Sequence, residues 1–296
     1  MQFTGRRVDP GVRIEWPAGM PAGAARAGVI EVIVGGGHGG SLQCAAAPGT
    51  LWISLHGDLQ FNLPEGPLTL SAREALVTEQ GVRLEARARG SALWIAILAP
   101  GDGWRELLDC VEPVRALAGP VLLPGLGAAS RTLRRSVLDV ARAACSTDAG
   151  LAQPDACVME FAHAFCELQS AQASRADRCP GRTHAQRRAV FVRLQRVRRY
   201  MLANSHRDLD TAELAARANY SLSHFIRAYR RVYGQTPHAA LVDDRLQRAH
   251  AMLGSSALAV GEVALASGFE NRCAFSRVFK RRFGVTAQEV RRMVAA

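Results

Sequence analysis

The chain has 296 residues, 48% of them hydrophobic, with 37 Lys and Arg against 26 Asp and Glu for a net charge of +11. That length allows about two domains of ordinary size, no apolar run approaches the roughly 20 residues that a membrane span requires, and no apolar stretch or small-residue cleavage site follows Met1-Gln-Phe-Thr-Gly-Arg-Arg7, so a cytoplasmic protein with no membrane partner is expected. Seven scattered cysteines (Cys44, Cys110, Cys145, Cys157, Cys166, Cys179 and Cys273) contain no Cys-x-x-Cys pair, which argues against a zinc site or a disulfide framework and for reduced thiols.

Residues 1–125 read as strands and turns. Val29–Ile33 is a short buried strand, and Gly35 to Gly40 read as a turn. Thr50–Leu55, a Gly57-Asp58 turn and Leu59–Leu63 follow, then Leu68–Leu70, Ala75–Thr78, Val82–Ala86 and Ala92–Leu98. Short strands about ten residues apart with turn signals between them predict a β-barrel or sandwich. Residues 126–175 change to helical spacing, with Leu133, Val137, Val140 and Ala141 on one helix and Val158, Phe161, Phe165 and Leu168 on a second. The Ser146-Thr-Asp-Ala-Gly150 break and Pro154 separate the two. Residues 176–186, with Cys179-Pro180-Gly181, are the expected linker. From 187 to 296 the pattern is helical with short turns. Beyond residue 181 there are 21 basic and 8 acidic residues, against 16 and 18 before it. A basic third joined to a near-neutral remainder is the balance of a nucleic-acid-binding domain.

Within that third, Phe225-Ile-Arg-Ala-Tyr-Arg-Arg-Val-Tyr-Gly-Gln-Thr-Pro237 recurs as Phe275-Ser-Arg-Val-Phe-Lys-Arg-Arg-Phe-Gly-Val-Thr-Ala287. Each copy carries aromatics at i, i+4 and i+8, a helical stripe facing a core, with cations between them and Gly at the helix end. In the first unit Asp210-x-x-Glu213 opens a helix over Leu214, Ala215 and Ala218 as a capping box. Asn219-Tyr220 turns the chain, and Ser221 caps the helix Leu222 to Val232. In the second, Glu262–Ala266 is the first helix, Ser267-Gly268-Phe269 the turn, and Asn271 the cap of a helix from Arg272 to Phe283. A helix from Leu241 to Leu253 connects the two.

These residues resemble the DNA-binding domain of the AraC/XylS family of bacterial transcription regulators. The resemblance runs through Leu214-Ala215, Tyr220-Ser221, His224-Phe225-x-Arg227, Tyr233-Gly234-x-Thr236-Pro237, Arg245-Leu246-x-x-Ala249, Val263-Ala264-x-x-x-Gly268-Phe269 and Phe275-Ser-Arg-x-Phe279-Lys-Arg-x-Phe283-Gly284. It covers residues 187 to 292; Ala287 and Val290 stand where the family usually has proline and tyrosine. It implies an all-α domain with two helix-turn-helix units, each placing one helix in the major groove of double-stranded DNA, about 34 Å apart. Base edges would then be read by Ser223, Ile226 and Arg227 on the first helix and by Arg272, Cys273, Ser276 and Arg277 on the second. Ile226 could meet a thymine methyl or pack against its own domain. Arg230, Arg231, Lys280 and Arg281 would meet phosphates, while Phe225, Tyr229, Phe275 and Phe279 belong to the core.

The same resemblance implies an α+β chain: an N-terminal cupin-like β-barrel holding a small-molecule effector, then helices, then the DNA-binding domain. Pocket candidates are Trp52, His56, Phe61 and Trp94, for each of which a plain core role is the alternative. His38 and His56 lack the His-x-His of a cupin metal site, so no metal, cofactor or enzyme activity is expected. The helices of 126–175 would supply a homodimer surface, with packing of the Phe161 and Phe165 stripe on the barrel as the alternative, and RNA polymerase is the implied protein partner. The leading reading is a sequence-specific regulator, an activator responding to an effector. The alternatives are a cupin-type metalloenzyme fused to a DNA-binding domain and a non-specific architectural DNA binder.

Overall fold

Two strands, each longer than the turn signals suggest, organise the N-terminal half. The computed structural model describes residues 2–16, 29–111, 121–146 and 156–295, and the chain divides into two compact units, Met1–Gln195 and Arg196–Ala296. The first carries β1 (Gln2–Val8), β2 (Arg13–Trp16), β3 (Val29–His38), β4 (Ser41–Cys44), β5 (Gly49–Leu63), β6 (Gly66–Leu70), β7 (Glu74–Thr78), β8 (Leu84–Ala99), α1 (Gly101–Asp109), β9 (Gly125–Ala128), α2 (Arg131–Ser146) and α3 (Ala156–Asp177). The division falls inside α4 (His184–Ala203). The second unit continues with α5 (Thr211–Arg217), α6 (Leu222–Tyr233), α7 (Pro237–Ser255), α8 (Val260–Ala266), α9 (Arg272–Phe283) and α10 (Ala287–Ala295).

All nine strands join one sheet along the path β1-β3-β8-β5-β7-β9, with β4 bridging β2 to β8 and β6 paired to β5. β5 and β8 run antiparallel from Gly49↔Ala99 to Asn62↔Glu85. Each divides its other edge between two neighbours: β8 takes β3 and β4, and β5 takes β7 and β6. The pairs β1–β3 and β2–β4 are parallel. Among the described residues the path ends at β1 and β9, each with a single strand neighbour, so the expected barrel is not closed.

Three expected turns are corrected. Gly35-Gly36-Gly37-His38 is the end of β3, paired with Ser91–Trp94 of β8. A Cβ on Gly35 would stand 2.1 Å from the Trp94 ring, so this glycine admits an indole where a turn had been expected. Gly57-Asp58 is a bulge within β5, with register shifts between Ser54 and His56 and between His56 and Asp58. Gly57 has φ 71°, and a Cβ there would meet the Ser91 carbonyl oxygen at 2.4 Å. Leu84–Ala86 of the expected strand Val82–Ala86 and all of Ala92–Leu98 are parts of the single strand β8. A helix, α1, also stands where strands and turns were expected. Trp104 anchors it, buried and donating from Nε1 to the Gly49 carbonyl at 2.8 Å. Of the expected break, Ser146 is the last residue of α2, and 147–150 and Pro154 lie outside the described residues.

Where β5, β7 and β8 pair, Gly49–Ser54, Ala75–Thr78 and Trp94–Ala99 are buried on both faces and read as continuous apolar runs, whereas β6 and the first half of β8 alternate between buried and exposed. Ile30, Val32, Leu51, Ile53, Ala75, Val77, Ile95 and Ile97 share a core with Trp104, Leu133, Val137, Val140, Phe161 and Phe165 of α1–α3. Trp52, Phe61 and Trp94 pack together, with ring centroids 5.0 Å and 5.6 Å from Trp52. Trp52 Nε1 donates to Thr50 Oγ1 at 2.8 Å, and Thr50 and Thr78 hydroxyls bond at 2.7 Å, so the buried polar atoms here are satisfied. Gly35→Ala is expected to destabilise this unit by about 1–3 kcal/mol through overpacking. A urea melt of the full chain measures it, with Gly127→Ala, whose Cβ would meet nothing within 4 Å, as the control.

The residues expected as linker, 176–186, hold the last residues of α3, the connection 178–183 and the start of α4. Cys179 is buried, and Gln186 Oε1 accepts from the Arg182 and Thr183 amides at 2.9 and 3.2 Å. In the second unit one core joins Leu246, Ala249 and Leu253 of α7, Val263 and Ala264 of α8, Phe275 and Phe279 of α9, and Ala287 and Val290 of α10. The two positions that depart from the family pattern are thus core positions of α10.

Candidate nucleic-acid interface

Local chemistry sets both helix-turn-helix units. Asp210 caps α5 by accepting from the Ala212 amide at 3.1 Å, and Asn219 turns the chain at φ 56°. The second half of the expected capping box forms differently: Glu213 accepts from Tyr200 Oη at 2.8 Å and from Arg217 Nε at 3.1 Å. Ser221 occupies the N-cap of α6 in extended backbone, without a side-chain bond to the helix. In the second unit Glu262 accepts from the Ala259 amide at 2.7 Å, and Gly268 makes the turn at φ 91°. Asn271 caps α9 by accepting from the Cys273 and Ala274 amides at 2.8 and 3.0 Å. Gly234 and Gly284 end α6 and α9, both at φ 77°.

The repeated aromatics point inward. Tyr229 lies 5.7 Å from Phe225 and 4.5 Å from Tyr233; Phe279 lies 5.3 Å from Phe275 and 4.6 Å from Phe283. Phe225, Tyr229, Phe275 and Phe279 are fully buried, as expected. Burying one side of each helix turns the intervening positions outward. Ser223, Arg227, Arg230 and Arg231 on α6 are exposed, with Ile226 half-buried beside them. On α9, Arg272, Cys273, Ser276, Arg277, Lys280 and Arg281 are all exposed. These six line one open concavity of about 870 Å³, together with Thr286. No ion pair among the described residues takes up Arg227, Arg230, Arg231, Arg272, Arg277, Lys280 or Arg281. Arg282 does pair, through Nε to Asp243 Oδ1 at 2.5 Å, and so ties α9 to α7.

α7 holds the two units through three consecutive residues. Asp243 takes Arg282 of α9. Asp244 forms a two-pronged pair with Arg198 of α4, Nη2 to Oδ1 at 2.6 Å and Nη1 to Oδ2. Burial lifts the Asp244 carboxyl above its ordinary pKa, and the hydrogen bonds from Arg198 oppose that rise. Burial also pushes the nearby Tyr229 hydroxyl up to about 12. Arg245 donates from Nε to the Ser205 carbonyl and from Nη2 to the Arg207 carbonyl, both at 2.8 Å, reaching the connection that precedes α5. Gly268 closes against the same place: a Cβ there would be 2.9 Å from both Arg245 Nε and the Ser205 carbonyl oxygen.

The sequence reading missed Thr286 as part of the concave lining and Asp243, Asp244 and Arg245 as the residues that position the helices. It also passed over Leu222, the repeat counterpart of Arg272 fifty positions earlier, which is 46% exposed at the start of α6. Of the effector-pocket candidates, Trp52, Phe61 and Trp94 come together, whereas His56 is exposed at the β5 bulge and stands apart from them.

A family model described as a helix-turn-helix domain matches residues 214–293. The chain is similar to the MmsAB operon regulatory protein of Pseudomonas aeruginosa, 32% identical over 95 residues that cover 32% of this chain and 31% of the relative. It is similar also to the virulence regulon transcriptional activator VirF of Yersinia enterocolitica, 26% identical over 97 residues covering 33% and 36%. The chain spans about a third of the length of these curated relatives. Among solved structures, the DNA-binding domain of AdpA in complex with a target DNA aligns at 32% identity and a TM-score of 0.33, over 34% of this chain and 91% of that one. A transcriptional regulator from Chromobacterium violaceum with an AraC-type DNA-binding domain aligns at 26% identity and a TM-score of 0.34, over 35% and 92%.

Proposed function

From the premise that the second unit carries a helix-turn-helix domain of the AraC/XylS family, we propose that the chain is a sequence-specific transcription regulator, an activator working with RNA polymerase in the cytoplasm. The observation that carries this reading is the exposed cationic row of α9, repeated on α6 within one tied helical domain. Arginine forks suit guanine O6 and N7, and cations on the last turns of both helices suit phosphates. The N-terminal unit is read as a cupin-like sensor of a small molecule, with Trp52, Phe61 and Trp94 lining its apolar interior and α2 and α3 offering a homodimer surface.

Selection of binding sites from random duplex by the full chain tests the regulator reading. The expected product is a preferred sequence with two subsites about one helical turn apart. Recovery of random sequence would overturn it and favour an architectural binder. The sensor reading predicts a metabolite that stabilises the protein by about 2.7 kcal/mol at a hundredfold excess over its dissociation constant. Because coupling is reciprocal, that metabolite must also bind the operator complex with altered affinity. A stabilising molecule whose affinity is the same with and without operator would sink the sensor reading.

A further inference from the structure

The two copies of the repeat do not present the same chemistry at their reading ends. Counting fifty positions from α6 to α9 places Leu222 against Arg272, Ser223 against Cys273, Ile226 against Ser276 and Arg227 against Arg277. In α9 all four positions line the concavity. In α6 the same four hold two aliphatic side chains, Leu222 and Ile226. Leu222 is the first residue of α6 after the Ser221 cap, and it is 46% exposed. Ile226 follows one turn later on the same side of the helix, about 6 Å along its axis. The first turns of a helix in the major groove are the part that meets base edges. Exposed Arg227, Arg230 and Arg231 flank the pair, so this apolar spot sits within a cationic face. The major-groove edges of the four bases carry one apolar group, the thymine C5-methyl.

We propose that Leu222 and Ile226 read thymine methyls on neighbouring base pairs, so that the two subsites of the operator differ in kind: thymine-bearing under α6 and guanine-bearing under α9. The inference rests on the regulator reading above and deepens it. Arg272 and Arg277 supply the guanine contacts of the second subsite. Of these four positions, the one occupied by Arg227 is the only one at which α6 carries a cation as α9 does.

The test uses the full chain and the sequence recovered by selection. Repeating the selection with Arg277→Ala relaxes the positions under α9 and thereby identifies the subsite under α6. Deoxyuridine in place of thymine removes only the methyl group. Under α6 each such replacement is expected to weaken binding about three- to fourfold, the equilibrium equivalent of one buried methyl. Under α9 it leaves affinity unchanged, whereas 7-deazaguanine there weakens it. The double variant Leu222→Ala, Ile226→Ala should lose the response to deoxyuridine. Leu222→Ser alone, at an exposed position, gives a partial loss and serves if the double variant does not fold. Deoxyuridine without effect under α6, or with equal effect on wild type and variant, overturns the proposal while leaving a sequence-specific regulator intact. A selection that returns no preferred sequence overturns both.

Discussion

Replacing Arg277 with alanine is expected to weaken binding to the selected operator by roughly 1–3 kcal/mol while changing binding to random duplex far less, because a bidentate contact to guanine carries discrimination of that size. Arg277 is exposed in the middle of the α9 row and takes part in no ion pair among the described residues, so its loss should leave the fold intact. Arg272→Ala should act in the same direction. Its interpretation is less direct, since the Arg272 side chain lies along α8, its Cδ 3.8 Å from where a Cβ would stand on Gly261. Arg281→Ala, at the phosphate end of the row, should weaken specific and random duplexes alike and flatten the salt dependence by about one counterion. Titrations of each variant on both duplexes at several salt concentrations separate these outcomes. Equal losses on specific and random DNA for Arg277→Ala would remove it from the base-reading set.

The largest loss of stability is expected from Phe279→Ala, about 3–5 kcal/mol, since truncating a buried aromatic forfeits its transfer energy and leaves a cavity. Phe279 is fully buried where α7, α8, α9 and α10 meet, with ring neighbours at 5.3 Å (Phe275), 4.6 Å (Phe283) and 6.2 Å (His250). Such a variant should lose DNA binding through the fold and not through any contact, so its deficit should shrink on cooling toward the temperature of maximum stability or with an osmolyte that favours burial. Denaturant melts of the full chain measure the first effect and binding at two temperatures the second. A variant with wild-type stability and no DNA binding would show that Phe279 is not the core residue described here.

The helical third was legible because its signals are local. Asp210 and Asn271 cap the helices expected of them, Gly234 and Gly284 end theirs in left-handed conformation, and the aromatic period marks the buried side. A side chain two residues from each of two buried aromatics one turn apart lies on the opposite face of the helix, so Arg227 and Arg277 could be placed on the surface from spacing alone. The sheet was less legible because its glycines carry two meanings. Gly35 and Gly57 look like turns and are instead places where an indole or a neighbouring strand comes too close for a Cβ. Pro100-Gly101-Asp102-Gly103 likewise hides the start of α1, whose helical pattern covers only nine residues. β2 and β4 are four residues each, too short for alternation to declare itself. How the strands share β5 and β8 is fixed by contacts between distant residues, which no window along the chain contains. Leu222 lies three residues before the stretch that recurs from Phe225, where the two copies no longer match, so the repeat itself does not mark it.

The ties that Asp243, Asp244 and Arg245 make from α7 bear on how target sites can evolve. On the proposed function, a domain held in this way would tolerate point changes in its operator gradually, since each altered base forfeits a bounded share of affinity. It has no comparable tolerance for an inserted or deleted base pair between the subsites, which would move one of them along the duplex and around it together. Regulated promoters should therefore diverge freely in letters and hardly at all in spacing, and a comparison of them would show substitutions without gaps.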